Sequence, residues 1–341
     1  MALVKALLSF VVFIAVLAVA AVVAGWFWLQ SEIAKPGPST VPQTFVVAPG
    51  EGLGTIARNL ETAGVIADAR LLRLAFRMDN QSASAKAGEY EIPAEASLSD
   101  IKGLLVAGSS ILHRITIPEG LTVAQTLRII EANEILIGAL PETEPPEGSL
   151  LPDTYLFGRG MSRAELIQLM ANAQTEVLEA LWPRRQADLP FNTKEEAIIL
   201  ASVVEKETGQ PDERDQVAGV FVGRLKRGMR LESDPTIIYG VSRGEPLYNR
   251  AGQRRTLYRS EIDRITDWNT YQIDGLPKTP ICNPGRDAIA AVLQPADTEF
   301  VFFVADGTGG HVFARTLAEH NRNVAAYRRI ERERIAAERA N

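Results

Sequence analysis

Residues 193–209 read TKEEAIILASVVEKETG, and this stretch predicts a buried helix that carries two carboxylates to its own C-terminal end. Thr193 followed three residues later by Glu196 forms a capping-box pattern, and Gly209 supplies the expected C′ stop, which frames about four turns. Between these ends Ala197, Ile198, Ile199, Leu200, Ala201, Val203 and Val204 leave almost no polar face. A helix apolar on all sides is one enclosed by a larger domain. Glu205-Lys206-Glu207 then breaks the pattern. A carboxyl in the last turn sits at the negative end of the helix dipole, and partial burial solvates its charge poorly. Both raise its pKa toward the range in which it donates a proton near neutral pH. Two roles fit these charges: the solvated exit of a core helix, and a general acid. Residues two apart on a helix point about 200° apart, so only one of Glu205 and Glu207 can face a given cleft. Glu207 is the one that extends the Leu200, Val203, Val204 stripe.

On the C-terminal side of this helix, residues 217–229 predict a second helix packed by Val217, Val220, Phe221 and Leu225. Three turn-rich clusters follow: RLESDPTIIYG at 230–240, DWNTY at 267–271 and GLPKTPICNPG at 275–285. Asn, Tyr and Trp on loops are what a saccharide cleft needs, ring faces for stacking and amides for hydroxyls. One such cluster is ordinary turn chemistry; three in succession after a buried carboxylate helix describe a cleft. The candidates to line it are Arg230, Glu232, Asp234, Thr236, Tyr239, Asn269, Tyr271 and Asn283. His311, in GTGGHVF, either touches a substrate or caps a strand end, and His320 and Asn321 fall on a C-terminal helix that can line the same cleft. Cys282 reads as a loop residue, and the mixed-charge run from Arg328 as a solvated helix.

On the N-terminal side, helical spacing runs from 163 to 181, and a Pro-rich hinge at 144–157 marks the entry to a second domain. Earlier still lies a weak internal repeat of strand, tight turn and helix. It begins at Phe45-Val46-Val47 with PGEG, at Glu89 with YEI before Pro93, and at Ile115-Thr116-Ile117 with Pro118-Glu119-Gly120. Residues 34–43, AKPGPSTVPQ, read as a linker that cannot pack. Before them, residues 6–29 are apolar apart from Ser9, long enough to cross a bilayer at about 1.5 Å per residue. Trp26 and Trp28 stand at the far interface. Ala18-Val19-Ala20 resembles a signal-peptide cleavage site, but the apolar run continues well past it, which favours an anchor. Lys5 precedes the span and Glu32 is the first charge after it, placing the N-terminus in the cytoplasm and the bulk outside.

Composition narrows the function. The 341 residues are 46% hydrophobic, enough for a sizeable core in two folded units and an appendage. A net charge of −6, with no Lys/Arg stripe interleaved with aromatics, gives no footprint for nucleic acid. A single cysteine precludes an internal disulfide, and three histidines without HExxH spacing argue against a zinc site. The expectation is an α+β chain that needs no metal or other cofactor. Its parts are a transmembrane anchor at 1–30, a linker at 31–43, a small α/β module at 44–112, a larger mixed α/β domain at 113–330 and a charged tail at 331–341.

ASVVEKETG, ERDQVAGVFVGRL, GMRLESDPTIIYG, WNTYQIDGLPKTPICNPG and FVFFVADGTGGHVFARTLAEHN resemble, in order and spacing, the YceG-like endolytic murein lytic transglycosylases. The resemblance runs from the anchor to about Tyr327. It implies a single-pass inner-membrane protein with a periplasmic catalytic domain, acting on peptidoglycan glycan strands and leaving 1,6-anhydro-N-acetylmuramic acid ends. It also implies Glu207, the second glutamate of EKET, as the catalytic residue, and penicillin-binding proteins and other cell-wall synthases as partners. The spacing of PGEGLGTIARNL is similar to a LysM module, which binds N-acetylglucosamine polymers; a generic packing module fits the same residues. Glu232 stands where the family usually has Gln, and it is expected to add negative charge and raise the pKa of Glu207 further. Trp268 stands where Tyr often precedes NTY. A glycan-binding scaffold without catalysis, and a lysozyme-like hydrolase, are the alternatives; the intact EKET argues against the first.

Overall fold

The computed structural model describes residues 2–78 and 85–340. Residue 1, residues 79–84 of the 44–112 module, and Asn341 of the tail lie outside the described residues. The chain divides into two compact units, residues 1–114 with 156–161, and residues 115–155 with 162–341.

The first unit opens with helix α1 (Ala2–Ala34), of which residues 7–34 are long and apolar enough to cross a membrane. Most of its large apolar side chains are exposed, from Leu7 through Trp26 to Trp28, as a lipid-facing surface requires. Leu29 and Ile33, on the last turns of the same helix, are instead buried in the core of the unit. The Pro/Ser stretch that follows does pack, contrary to the expectation of a free linker. Gly37 N–H donates to the Glu95 carbonyl (3.0 Å) and Glu95 N–H to the Ser39 carbonyl (2.7 Å). A Cβ on Gly37 would lie 2.4 Å from the Ala96 carbonyl oxygen, so the missing side chain is what permits the approach.

The repeat is present as three strand-turn-helix segments. Strand β1 (Gln43–Val47) leads to α2 (Leu53–Thr62), and helix α3 (Ala69–Met78) is inserted before the next copy. Strand β2 (Gly88–Ile92) leads to α4 (Leu98–Ala107), and β3 (Leu112–Thr116) to α5 (Val123–Glu131). Capping boxes, Ser97 with Asp100 and Thr122 with Gln125, start α4 and α5. β1 and β2 pair antiparallel, Gln43 opposite Ile92 and Val47 opposite Gly88, whereas β3 pairs with β4 (Thr154–Gly158). Ile56, Leu60, Leu72, Phe76, Tyr90 and Ile101 fill the first unit's core.

The second unit is built on α6 (Arg163–Leu181), α7 (Lys194–Glu207), α8 (Arg214–Lys226), α9 (Asp234–Ser242), the short α10 (Arg259–Ile262) and α11 (Arg286–Leu293). A hairpin of β5 (Phe302–Ala305) and β6 (His311–Ala314) and the helix α12 (Leu317–Ala340) complete it. α7 is the centre of the core. Ala197, Leu200, Ala201, Val203 and Val204 are fully buried, against α8 residues such as Val217 and Phe221 and α11 residues such as Ile289 and Val292. Its start is as expected, Thr193 Oγ1 accepting from Glu196 N (3.2 Å) and Glu196 Oε2 accepting from Thr193 N (3.0 Å). Its end is not. The buried Thr208 turns extended (φ −132°, ψ 128°), with no left-handed glycine cap at Gly209. Thr208 N–H still reaches the Val204 carbonyl (3.2 Å) and its hydroxyl accepts from Gln210 N (3.0 Å), so the exit is stabilised without glycine's special backbone. Glu207 is therefore the last helical residue. α8 also starts three residues earlier than the apolar pattern suggests, and Gly219 in its middle lets the Ala296 carbonyl come within 2.4 Å of where a Cβ would stand.

Candidate active site

Glu207 projects from the end of α7 into a cleft of about 670 Å³ in the second unit, walled by the turn before α9, the β5–β6 hairpin and α12. Of the residues singled out in the sequence, Glu207, Glu232, Asp234, Tyr271, His311, His320 and Asn321 meet there. Burial of Glu207 is the largest influence on its acidity and Asp234 adds to it, while the Ser233 hydroxyl and the Arg224 charge oppose; the net effect pushes its pKa up to about 7. Such a carboxyl keeps a protonated fraction at neutral pH, which is the state a general acid needs.

Ser233 donates to Glu207 Oε1 at 2.5 Å. It occupies the N-cap position of α9, yet its side chain makes no cap bond there. The hydroxyl is instead turned to the carboxyl. Tyr271 donates its hydroxyl to Asp234 Oδ1 (2.9 Å), and partial burial beside that carboxylate holds the phenol well above its usual range.

The cleft wall is organised by Arg224, a buried guanidinium from α8. It donates to the carbonyls of Val301 (2.6 Å), Arg230 (3.0 Å) and Leu231 (3.1 Å) and to Glu232 Oε2 (3.0 Å). Glu232 has φ of 50°, a left-handed backbone that a non-glycine residue adopts only when its surroundings impose it. Its partner is Arg224, and the negative neighbour acting on Glu207 is Asp234; this corrects the expectation that Glu232 raises the pKa of Glu207. His320 stacks on Phe302 (5.1 Å between centroids), and burial lowers its pKa. His311 Nδ1 lies 2.8 Å from Glu213 Oε2, and its backbone N–H donates to Glu213 Oε1 (2.9 Å).

The remaining candidates lie elsewhere. Arg230 bonds Asp274 Oδ1 and the Tyr271 carbonyl at 2.8 Å each, on the outside of the turn. Thr236 is fully buried and, with Thr270, ties that turn to the 269–271 loop through hydroxyl contacts at 2.9 Å. Asn269 spends its amide on the carbonyls of Ile262 (2.9 Å) and Arg264 (2.7 Å). Asn283 holds the Leu121 carbonyl (3.2 Å) and Leu150 N–H (3.1 Å). Tyr239 donates to Glu147 (3.1 Å) beside a different pocket. Glu205 leaves α7 on another side from Glu207 and accepts from Gly285 N (3.0 Å); burial, more than the nearby Glu119, raises its pKa. Cys282 is fully buried, which pushes its thiol far up and away from nucleophilic use.

Residues 45–326 match the YceG-like family, and the chain belongs to it. It is 32% identical over 188 residues to the endolytic murein transglycosylase of Bacillus subtilis, an alignment covering 54% of this chain and 48% of that protein. To the enzyme of the same name from Streptococcus pneumoniae it is 27% identical over 366 residues, covering 94% of this chain and 64% of that protein. The chain thus spans about half to two thirds of the length of these relatives. The crystal structure of a yceG-like protein from Listeria monocytogenes aligns with a TM-score of 0.48 at 25% identity, over 83% of this chain and 99% of that one.

Proposed function

We propose that this chain is an endolytic peptidoglycan lytic transglycosylase. It cuts nascent glycan strands between N-acetylmuramic acid and N-acetylglucosamine, leaves 1,6-anhydro ends and so terminates elongation. The observation that carries this is Glu207, a carboxyl that lines a polar and aromatic cleft and whose burial pushes its pKa up to about 7. The family membership and the names of the two relatives agree with it.

In the reaction, protonated Glu207 gives its proton to the glycosidic oxygen as the C1–O bond breaks. The C6 hydroxyl of the same sugar then closes on C1, and the carboxylate takes the proton that this hydroxyl releases. No water is consumed, and the nucleophile is already part of the substrate, so proximity replaces a second catalytic group. Ser233 orients the carboxyl. Tyr271, His311, His320 and Asn321 offer rings and polar atoms to the sugars. Arg230, Thr236, Asn269 and Asn283 shape the walls.

In the same proposal residues 1–30 anchor the chain as a single inner-membrane span with the N-terminus cytoplasmic, and the catalytic domain at 113–330 faces the periplasm. The module at 44–112 is LysM-like and holds glycan, and synthases of the penicillin-binding class work beside it. Two further carboxylates in the cleft, Asp234 and the Arg224-paired Glu232, favour a hydrolase, since most glycosidases use a carboxylate pair. Mass spectrometry of products from sacculi decides between them: transglycosylation gives fragments one water lighter than hydrolysis, and ordinary reducing ends would overturn the proposal.

A further inference from the structure

A second pocket, of about 430 Å³, lies in the same unit immediately beside the Glu207 cleft. Two pairs of consecutive residues divide the two spaces. Lys206 lines the second pocket and Glu207 the first; Pro235 lines the second and Asp234 the first. Consecutive helical side chains point about 100° apart, so the two spaces lie on adjoining faces of the last turn of α7.

The second pocket differs in character. Its floor is apolar, with Ile238, Leu247 and Ile281 among its lining. Its charged groups do not cancel. Arg255 is neutralised by a bidentate pair with Glu261 (2.7 and 2.6 Å), and Glu245 is neutralised by Arg128. One cation is left over: Arg254 has no side-chain hydrogen bond or ion pair among the described residues. Lys206 donates to the Gly120 carbonyl (3.1 Å) and its charge also acts on the neighbouring Glu205 carboxylate, so it is partly compensated. An apolar floor beside an unpaired arginine and a partly compensated lysine recognises a ligand with small apolar groups and at least one carboxylate. In peptidoglycan the one substituent of that chemistry is the short acidic peptide, and it branches from the muramic sugar whose C1 is cut.

We propose that this pocket is a subsite for the acidic peptide carried by the muramic acid at the cutting point, with Arg254 and Lys206 receiving its carboxylates. The assignment rests on the transglycosylase proposal above. It makes the chain selective for strands whose peptides are present, and blind to the pocket when they have been removed.

Two measurements on the purified full chain in detergent test it. In the first, wild type and Arg254→Glu are given peptide-bearing strands and strands stripped by an amidase. Reversing the charge should raise KM for peptide-bearing strands roughly tenfold, the worth of one charged hydrogen bond, and leave stripped strands unchanged. In the second, muramyl dipeptide, which carries one free carboxylate, is titrated against its carboxamide. Wild type should bind the acid more tightly, and Arg254→Glu should erase the preference. If both strand types are cut equally well and respond equally to Arg254→Glu, the subsite is overturned while the transglycosylase proposal stands. If wild type cuts neither, the transglycosylase proposal fails, and the titration alone decides the pocket: no preference for the acid overturns it, and a preference lost in Arg254→Glu upholds an acidic-peptide site.

Discussion

Glu207→Gln separates the two consequences of burying an ionisable group at the end of α7. The side chain keeps its size and can still accept from Ser233, but it has no proton to give, so cutting should fall by at least ~10²–10⁴-fold. Stability should move the other way. Raising a carboxyl from 4.5 to about 7 in the folded state makes the ionised form costly there by about 3 kcal/mol relative to the unfolded chain. Below pH 4.5 the group is protonated in both states and the variant should match wild type. As pH rises from 4.5 through 7 the unfolded chain releases its proton first, and wild type loses stability that the glutamine variant keeps. Urea unfolding in detergent at pH 4, 6 and 9 should show the gap open and then level off. The wild-type rate should fall as pH rises through about 7, because only the protonated carboxyl can start the reaction. A gap that is the same at all three pH values, or a variant weaker than wild type at pH 9, would refute the buried-acid reasoning.

Four further outcomes follow from named contacts. Ser233→Ala removes a hydrogen bond that favours the ionised carboxyl, so the alkaline fall of the rate should move to higher pH, read from the pH–rate profile. Glu205→Gln can still accept from Gly285 N–H and does not touch the cleft, so it should retain most activity in the assay that silences Glu207→Gln. Arg224→Lys cannot reach three carbonyls and Glu232 at once and should cost about 1–3 kcal/mol in urea unfolding. Gly219→Ala drives a methyl into the Ala296 carbonyl and should cost about 1–3 kcal/mol, seen as a lowered melting temperature.

Local signals were legible in the sequence, and long-range ones were not. Thr193 and Glu196 lie three residues apart, so their capping box is written in the spacing, and the apolar run between 197 and 204 announces a buried helix. The end of α7 defeated the same logic. Gly209 looks like a left-handed cap, but tertiary burial of Thr208 decides the exit. Asn269 and Asn283 show the limit more sharply, because an amide on a turn looks alike whether it awaits a sugar or a carbonyl. Only the folded chain brings the carbonyls of Ile262, Arg264 and Leu121 to consume them. Arg224 left a faint trace as the one cation three and four residues beyond the buried Val220 and Phe221, on the face that packs inward. Ser233 left a misleading one, since a serine before Asp-Pro signals a helix cap and its hydroxyl serves Glu207. The antiparallel pairing of β1 with β2 could not be read from three similar repeat copies, because all three strands offer the same pattern.

The burial of Leu29 and Ile33 decides where the chain can be cut to make a water-soluble protein. Both lie within the helical segment 7–34 that is long and apolar enough to cross a membrane, yet both are core residues of the first unit. A truncation beginning at residue 35 removes two apolar side chains worth about 1.5–3 kcal/mol each and leaves a hole in that core. Beginning just before Trp28 discards most of the apolar helix and keeps the plug, so a soluble truncation should carry those last two turns even though they resemble membrane sequence.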